Sequence, residues 1–397
     1  MTAVVTSPSS PPRPRRFGAV RDFFGAHRSI SVVVGMSAVT ALLYVLSFLP
    51  PLTLVQASNA WLGAWTNAGV FVLLALGLNV VVGYAGLLDL GYAAFFAFGA
   101  YFYAYGASAY TGVHGPFFVL LIGGAMVSAV FGIALGAPTL RLRGDYLALV
   151  TLGFGEIVPI VFVNLDRYTE GSNGISGIDR PSIPGLTFGA VQSIPYYVLM
   201  TGMIIVAMIL LYRLQDSRIG RAWAAIREDE LAAAASGINT VTTKLLAFAL
   251  GASTAGFAGV LNASKLTFVS PEQFIFTVSF AVLVAVVLGG MGNPWGVAFA
   301  AFLVYNIQAV LLKQLNSLFD RVQIPIISNI DFVQYQYLLF GVVLVLFMVF
   351  RPEGLFPSQR RRQELHAADE EEGELEDETP AEAERTPQPA DLTGGPA

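Results

Sequence analysis

Cysteine is absent from this chain, which excludes disulfide bonds and thiolate chemistry. Histidine is scarce: His27, His114 and His366 all lie outside the apolar runs and do not cluster as metal ligands. Charge is scarce as well. Only 12% of the residues are Asp, Glu, Lys or Arg, against about 25% in a soluble globular domain. No G-x-x-x-x-G-K-[ST] loop occurs, and no lysine follows a glycine anywhere, so the chain cannot cradle ATP phosphates in the usual way. The apolar runs hold no Ser/His/Asp, HExxH or paired-aspartate constellation. We therefore expect no enzyme active site, no metal, no cofactor bound by this chain and no nucleic-acid partner.

What fills the chain is apolar. Hydrophobic residues make up 55% of it and the mean hydropathy is +0.65, leaving too little polar surface for a water-soluble globule. The runs match the roughly 20 residues a helix needs to cross a bilayer core. We expect an all-α, polytopic membrane protein with about ten transmembrane helices, at 30–49, 63–83, 86–108, 117–137, 144–164, 194–212, 242–263, 274–291, 296–313 and 333–350. Arg13, Arg15, Arg16, Arg21 and Arg28 precede the first span and place the N-terminus inside by the positive-inside rule. An even count then puts three further groups inside: Arg141 with Arg143; Arg213, Arg218, Arg221 and Arg227; and Arg351 with Arg360, Arg361 and Arg362. Arg321 alone falls awkwardly outside. Residues 1–28, rich in Pro and Arg and without a signal-cleavage pattern, read as a disordered basic cytoplasmic arm. Residues 29–357 read as the membrane domain and 358–397 as a disordered acidic cytoplasmic tail. From Gln363 the tail carries twelve acids against one arginine, a composition that cannot bury enough apolar surface to order itself.

Two acids interrupt the apolar runs. Asp89 stands in "GYAGLLDLGYAAFFAFGAY", among Gly83, Gly86 and Gly91. A carboxylate at the bilayer centre costs roughly 2.5–3.5 kcal/mol, so it needs a reason. As a cap, it would hold amides at the start of a helix through Tyr92, with Gly83 and Gly86 letting the backbone turn before it. As a path residue, it would attract a substrate ammonium group. A proton relay fits poorly, because no intramembrane His or Lys stands near it in sequence. Glu156 shares a helix face with Gly153, beside Thr151 and Gly155. Such residues usually face another helix, and lining a path is the alternative. Asn79 divides the same way. "VVLGGMGNPWG", with Gly289, Gly290 and Gly292, is a second glycine-interrupted run. Matched interruptions of this kind mark substrate paths in secondary transporters, and we use that as an analogy. The candidate path or helix-break set is thus Asn79, Gly83, Gly86, Asp89, Gly91, Tyr92, Thr151, Glu156, Gly289, Gly290 and Gly292.

The segment "SRIGRAWAAIREDELAAAASGI", Ser217 to Ile238, is helical by propensity. Asp216 or Ser217 can cap its start and Gly237 suits its end. Arg221, Arg227, Glu228 and Glu230 make it too polar to span. It should form one helix on the cytoplasmic face, either as an ordinary interfacial helix or as a docking element.

That segment resembles the "EAA…G" loop of permeases in ATP-binding-cassette importers, with Glu230, Ala232, Ala233 and Gly237 as the matching residues. Five ordered blocks between about Trp61 and Pro357 resemble, more specifically, the M-type permease subunit of high-affinity branched-chain amino-acid importers. They are "ALGLNVVVGYAGLLDLGYAAFFAFGAY", "LRLRGDYLALVTLGFGEIVPI", "GSNGISGI", "KLLAFALGASTAGFAGVL" and "VVLGGMGNPWG". The resemblance implies a prokaryotic plasma (inner) membrane location with both termini cytoplasmic, and surrounding lipid. It implies a homologous permease partner, two ATPase subunits that use ATP, and an extracytoplasmic binding protein delivering leucine, isoleucine or valine. It also implies alternating access driven through a coupling helix that contacts the ATPase by Arg218, Gly220, Arg221, Arg227, Glu228, Glu230, Ala232, Ala233 and Gly237. A sibling permease for urea or short amides carries the same blocks. A stand-alone channel or secondary transporter is the reading from another class, but such a protein has no need of the polar cytoplasmic helix.

Overall fold

In a bilayer an apolar segment must satisfy its own backbone polar groups, so it forms a helix. The computed structural model describes residues 28–49, 58–139, 145–183, 185, 187–189, 193–314, 335–350 and 354–356. The acidic tail, the basic arm before Arg28, Arg141, Arg143, Arg321, Arg351 and Arg360 to Arg362 lie outside the described residues. The first helices are α1 (Arg28–Leu46), α2 (Ser58–Leu78), α3 (Tyr92–Gly106), α4 (Phe117–Thr139), α5 (Asp145–Asn164) and the one-turn α6 (Asp166–Thr169). They are followed by α7 (Ser193–Gln215), α8 (Arg218–Glu228), α9 (Glu230–Ala235), α10 (Thr240–Leu266), α11 (Phe276–Gly289), α12 (Pro294–Asn306) and α13 (Gln336–Phe350). Two short antiparallel pairs join connecting segments, Ala107–Ser108 with Val113–His114 and Ile175–Ser176 with Phe268–Val269.

Each expected span coincides with a helix. Seven of the described helices, counting their tighter or wider end turns, are long and apolar enough to cross a membrane. The other three are α1, whose apolar stretch is Ile30–Leu46, and the 15-residue α3 and α13. For α3 the reason is plain: 15 residues rise about 22 Å, short of the roughly 30 Å hydrocarbon core, and non-helical chain precedes it.

The centre of the bundle is α10, packed against α4, α3 and α2. Close approach there depends on missing side chains: a Cβ at Gly99 of α3 would overlap the backbone of Gly256 on α10. The contacts also fix direction. Along α10, Gly251 lies by Tyr92 and Gly256 by Gly99, so α3 runs parallel to it. Gly251 also faces Gly77, and Lys265 bonds Gly63, so α2 runs antiparallel. Hence α2 and α3 run in opposite directions along the bundle. The bundle has two distinct ends. One carries α8 and α9. The other carries the strand pairs, where Tyr103 Oη donates to the Asp179 carbonyl at 3.0 Å, Tyr105 Oη donates to the Tyr168 carbonyl, and the exposed His114 and Asp179 side chains pair at 2.5 Å.

Candidate functional site

The last turns of α2 do not stay α-helical. Residues Asn79–Tyr84 open into a π-helix, a wider turn that is rare and often found at functional sites. The chain then runs without helix from Ala85 to Gly91, with Gly86 at φ 68°, before α3 begins. Non-helical backbone at membrane depth is tolerated only where protein surrounds it, and here other helices supply its partners. The Leu90 amide donates to Thr151 Oγ1 at 3.1 Å and the Ala93 amide to Ser279 Oγ at 2.8 Å. Tyr92 Oη donates to the Gly251 carbonyl at 2.7 Å.

Asp89 is fully buried. Its Oδ1 accepts the Gly91 amide at 2.9 Å, an Asx turn two residues long. It does not cap α3 in the expected sense. The capping position is Gly91, which has no side chain, and Asp89 lies two residues upstream. The α3 amide that needs an acceptor finds Ser279 instead. Asp89 Oδ2 and Asn79 Nδ2 are buried without a hydrogen-bond partner, so the cluster has unused polar capacity on both an acceptor and a donor.

The two glycine-interrupted runs meet. Asn79 Oδ1 accepts the Gly292 amide at 2.9 Å. Gly290 and Gly292 sit at φ 99° and 86°, where a side chain is strained, and a Cβ at Gly83 would overlap both Asn79 and Gly292. Gly289 packs against the backbone of Gly296 across the same turn, and Gly91 against the Thr151 carbonyl. Asn79, Gly83, Gly86, Asp89, Gly91, Tyr92, Thr151, Gly289, Gly290 and Gly292 thus form one neighbourhood near the end that carries α8. Glu156 does not join it. It is exposed on the open face of α5, beside Gly153, which has nothing within 4 Å.

The polar segment after α7 is two helices and not the single helix expected. Ser217 caps α8, accepting the Gly220 amide at 3.2 Å. Asp229 then leaves helical geometry at φ −149° and caps α9, accepting the Leu231 and Ala232 amides at 2.7 and 3.0 Å. An aspartate able to bond amides ahead of it competes with helix continuation, and that competition splits the segment. Gly237 follows α9 at φ 84°. The expected contact residues separate into two sets. Arg218, Arg221, Glu228, Ala232 and Gly237 are exposed. Gly220 and Ala233 are buried, Glu230 pairs with Lys244 at 2.6 Å, and Arg227 turns inward to the Gly83 carbonyl at 2.8 Å. Trp223, fully buried, donates from Nε1 to the Thr243 carbonyl at 2.6 Å.

Two bonding side chains escape sequence reading, Ser279 in this cluster and Lys265 toward the opposite end of the bundle. Ser279 shares its apolar run with a second hydroxyl, Thr277, and nothing in the sequence marks it as the one that meets a foreign amide. Lys265 ends α10 and donates to the Gly63 carbonyl at 2.9 Å and to Asn67 Oδ1 at 2.6 Å. A lysine at the rim of an apolar run reads as an ordinary membrane anchor, which conceals this bond.

Residues 60–348 match the family described as the branched-chain amino acid transport system permease component. The chain is 40% identical over 321 residues to the high-affinity branched-chain amino acid transport system permease protein LivM of Salmonella typhimurium, covering 76% of this chain and 71% of that one. It is 41% identical over 317 residues to the protein of the same name from Escherichia coli K12, covering 75% and 70%. The permease protein LivH of Salmonella typhimurium is 25% identical over 248 residues, covering 57% and 77%. No solved structure matches the chain.

Proposed function

The chain belongs to the family of permease components of branched-chain amino-acid transport systems, and from that premise we propose how it works within an ATP-binding-cassette importer. It carries leucine, isoleucine or valine across the membrane by alternating access. It pairs with a homologous, LivH-like permease, takes its cargo from an extracytoplasmic binding protein, and is driven by two ATPase subunits. The relatives' names do not favour urea or amides, nor a stand-alone channel.

The α8–α9 unit is the coupling element and faces the cytoplasm. The observation that carries this reading is the division of its side chains. One set, Arg218, Arg221, Glu228, Ala232 and Gly237, stands exposed at one end of an apolar bundle, while Trp223, Arg227 and Glu230 fasten the unit to that bundle. Both flanks of the membrane domain reach the same end. Gly35 of α1 packs by Trp295 next to the Gly289–Gly292 turn, and the Leu355 amide after α13 donates to the Leu288 carbonyl at 2.8 Å. That supports two cytoplasmic termini.

The test uses the reconstituted complex. Gly237→Leu strains a positive φ, and Arg221→Glu reverses an exposed charge. Binding-protein docking should survive, while delivery-stimulated ATP hydrolysis and uptake fall together. A Leu231→Cys variant should react with an impermeant maleimide only from the cytoplasmic side once the ATPases are removed. Full stimulated hydrolysis and uptake in the double variant, or labelling from the outside, would sink the coupling assignment.

A further inference from the structure

The π-turn of α2 and helix α8 share one contact that the coupling reading leaves unexplained. Gly83 lies in the last turn of its helix, where carbonyls have no partner within the helix. Arg227 Nη1 donates to that carbonyl at 2.8 Å, and the arginine stem covers Gly86, where a Cβ would come within 2.8 Å of Arg227 Cγ. One side chain thus grips both sides of the point where helix gives way to loop. The guanidinium, fixed in charge and planar, suits such a grip better than an ammonium.

The rest of α8 is fastened differently. Trp223 and, through α9, Glu230 hold it to the first turns of α10, at 2.6 Å each. That helix continues as α for 27 residues without a break. The π-turn is not rod-like. Releasing its extra residue would return it to α geometry and rotate the chain beyond it by about 100°. Such a reset would move Gly83, whose carbonyl Arg227 holds and whose Cα lies against the Asn79–Gly292 bond. Two discrete arrangements of one turn are what converts a small shift into a switch.

We propose that Arg227 is a positioning residue inside the permease, a clip that passes movement of α8 to the π-turn Asn79–Tyr84 and the broken segment after it, and not a contact for the ATPase. The clip rests on the reading of α8–α9 as the coupling element, and its test separates the two. The chain has no cysteine, so a single introduced one is unique within it. An environment-sensitive fluorophore is placed either at Leu231→Cys, on the exposed side of α9, or at Leu88→Cys, exposed in the broken segment. The full complex, with cysteine-free partner subunits, is challenged with a non-hydrolysable ATP analogue.

Both labels should respond when Arg227 is intact. In Arg227→Gln the Leu231 label should respond unchanged, while the Leu88 response and uptake drop about tenfold, the scale of one lost charge-assisted hydrogen bond. Arg227→Lys, which can still reach the carbonyl with a cation, should recover part of both. If the glutamine variant does not assemble, the lysine variant decides: a reduced Leu88 response beside an unchanged Leu231 response supports the clip. An undiminished Leu88 response in the variant that assembles overturns the clip and leaves the coupling assignment standing. No response from Leu231 in the intact complex overturns the coupling assignment and the clip with it.

Discussion

Asp89 shows how one side chain can be explained by local bonding while part of it stays unspent. Its Oδ1 holds the Gly91 amide, and its buried Oδ2 holds nothing. The Asx turn needs an acceptor oxygen but not a charge. Asp89→Asn keeps that oxygen, so the variant should express normally and retain most uptake. Asp89→Leu leaves the Gly91 amide buried without an acceptor, a loss of about 1–3 kcal/mol, and should lower both the amount of folded permease and uptake. Thermal denaturation of the detergent-solubilised protein beside uptake per folded molecule separates the outcomes. An asparagine variant that folds normally and transports nothing would point instead to direct attraction of the substrate ammonium by the carboxylate.

At the scale of elements, the helix positions were legible because run length and hydropathy decide them, and each expected span met a helix. The opposed directions of α2 and α3 were legible too, since reading 63–83 and 86–108 as separate spans is what keeps the later arginine groups on one side. What a single sequence could not reveal is which way a polar side chain turns. Arg227 and Arg221 look alike on a polar helix, yet one grips the Gly83 carbonyl and the other bonds the exposed Asp216 carbonyl at 2.9 Å. Glu156 and Asp89 look alike as intramembrane acids, yet one is exposed and the other enclosed. The likeness of the two glycine-interrupted runs was visible in the sequence, but their meeting through the Asn79–Gly292 bond depends on tertiary packing that spacing does not encode. The division at Asp229 had a sequence signal, a short acid inside a helix-favouring stretch, which propensity summed over the whole segment outweighed. Asp229→Ala removes the acceptor for the Leu231 and Ala232 amides, at a cost of about 1 kcal/mol. Amide hydrogen exchange should therefore quicken at Leu231 and Ala232 while that at Trp223 stays slow. Unchanged exchange at all three would mean that the Glu230–Lys244 pair alone holds α9.

For the whole molecule, the open question is what covers α5. Its exposed side carries Tyr146, Leu149, Ile157 and Ile160 with Glu156 among them. Apolar side chains are at ease against lipid, but a carboxylate there costs roughly 2.5–3.5 kcal/mol at the bilayer centre. A buried partner within the chain would remove that cost, but among the described residues nothing lies within 4 Å of a side chain built at Gly153, on the same side of the helix as Glu156. An importer built from two permeases offers a better place, the seam between them, where a polar path meets an apolar wall. Our reading is that this stretch of α5 faces the second permease and that Glu156 meets the path. Glu156→Leu should then leave assembly of the complex intact and lower uptake about tenfold or more, the loss expected when one charged contact of about 1.5 kcal/mol or more is removed. Glu156→Gln, which keeps hydrogen-bonding capacity, should retain more uptake than leucine. A Gly153→Cys variant should crosslink to the partner permease through a short bifunctional maleimide when that subunit carries a cysteine on its facing helix. A face that merely touches lipid behaves in the opposite way: the leucine variant would be more stable, transport at the full rate, and leave Gly153→Cys uncrosslinked to any partner cysteine.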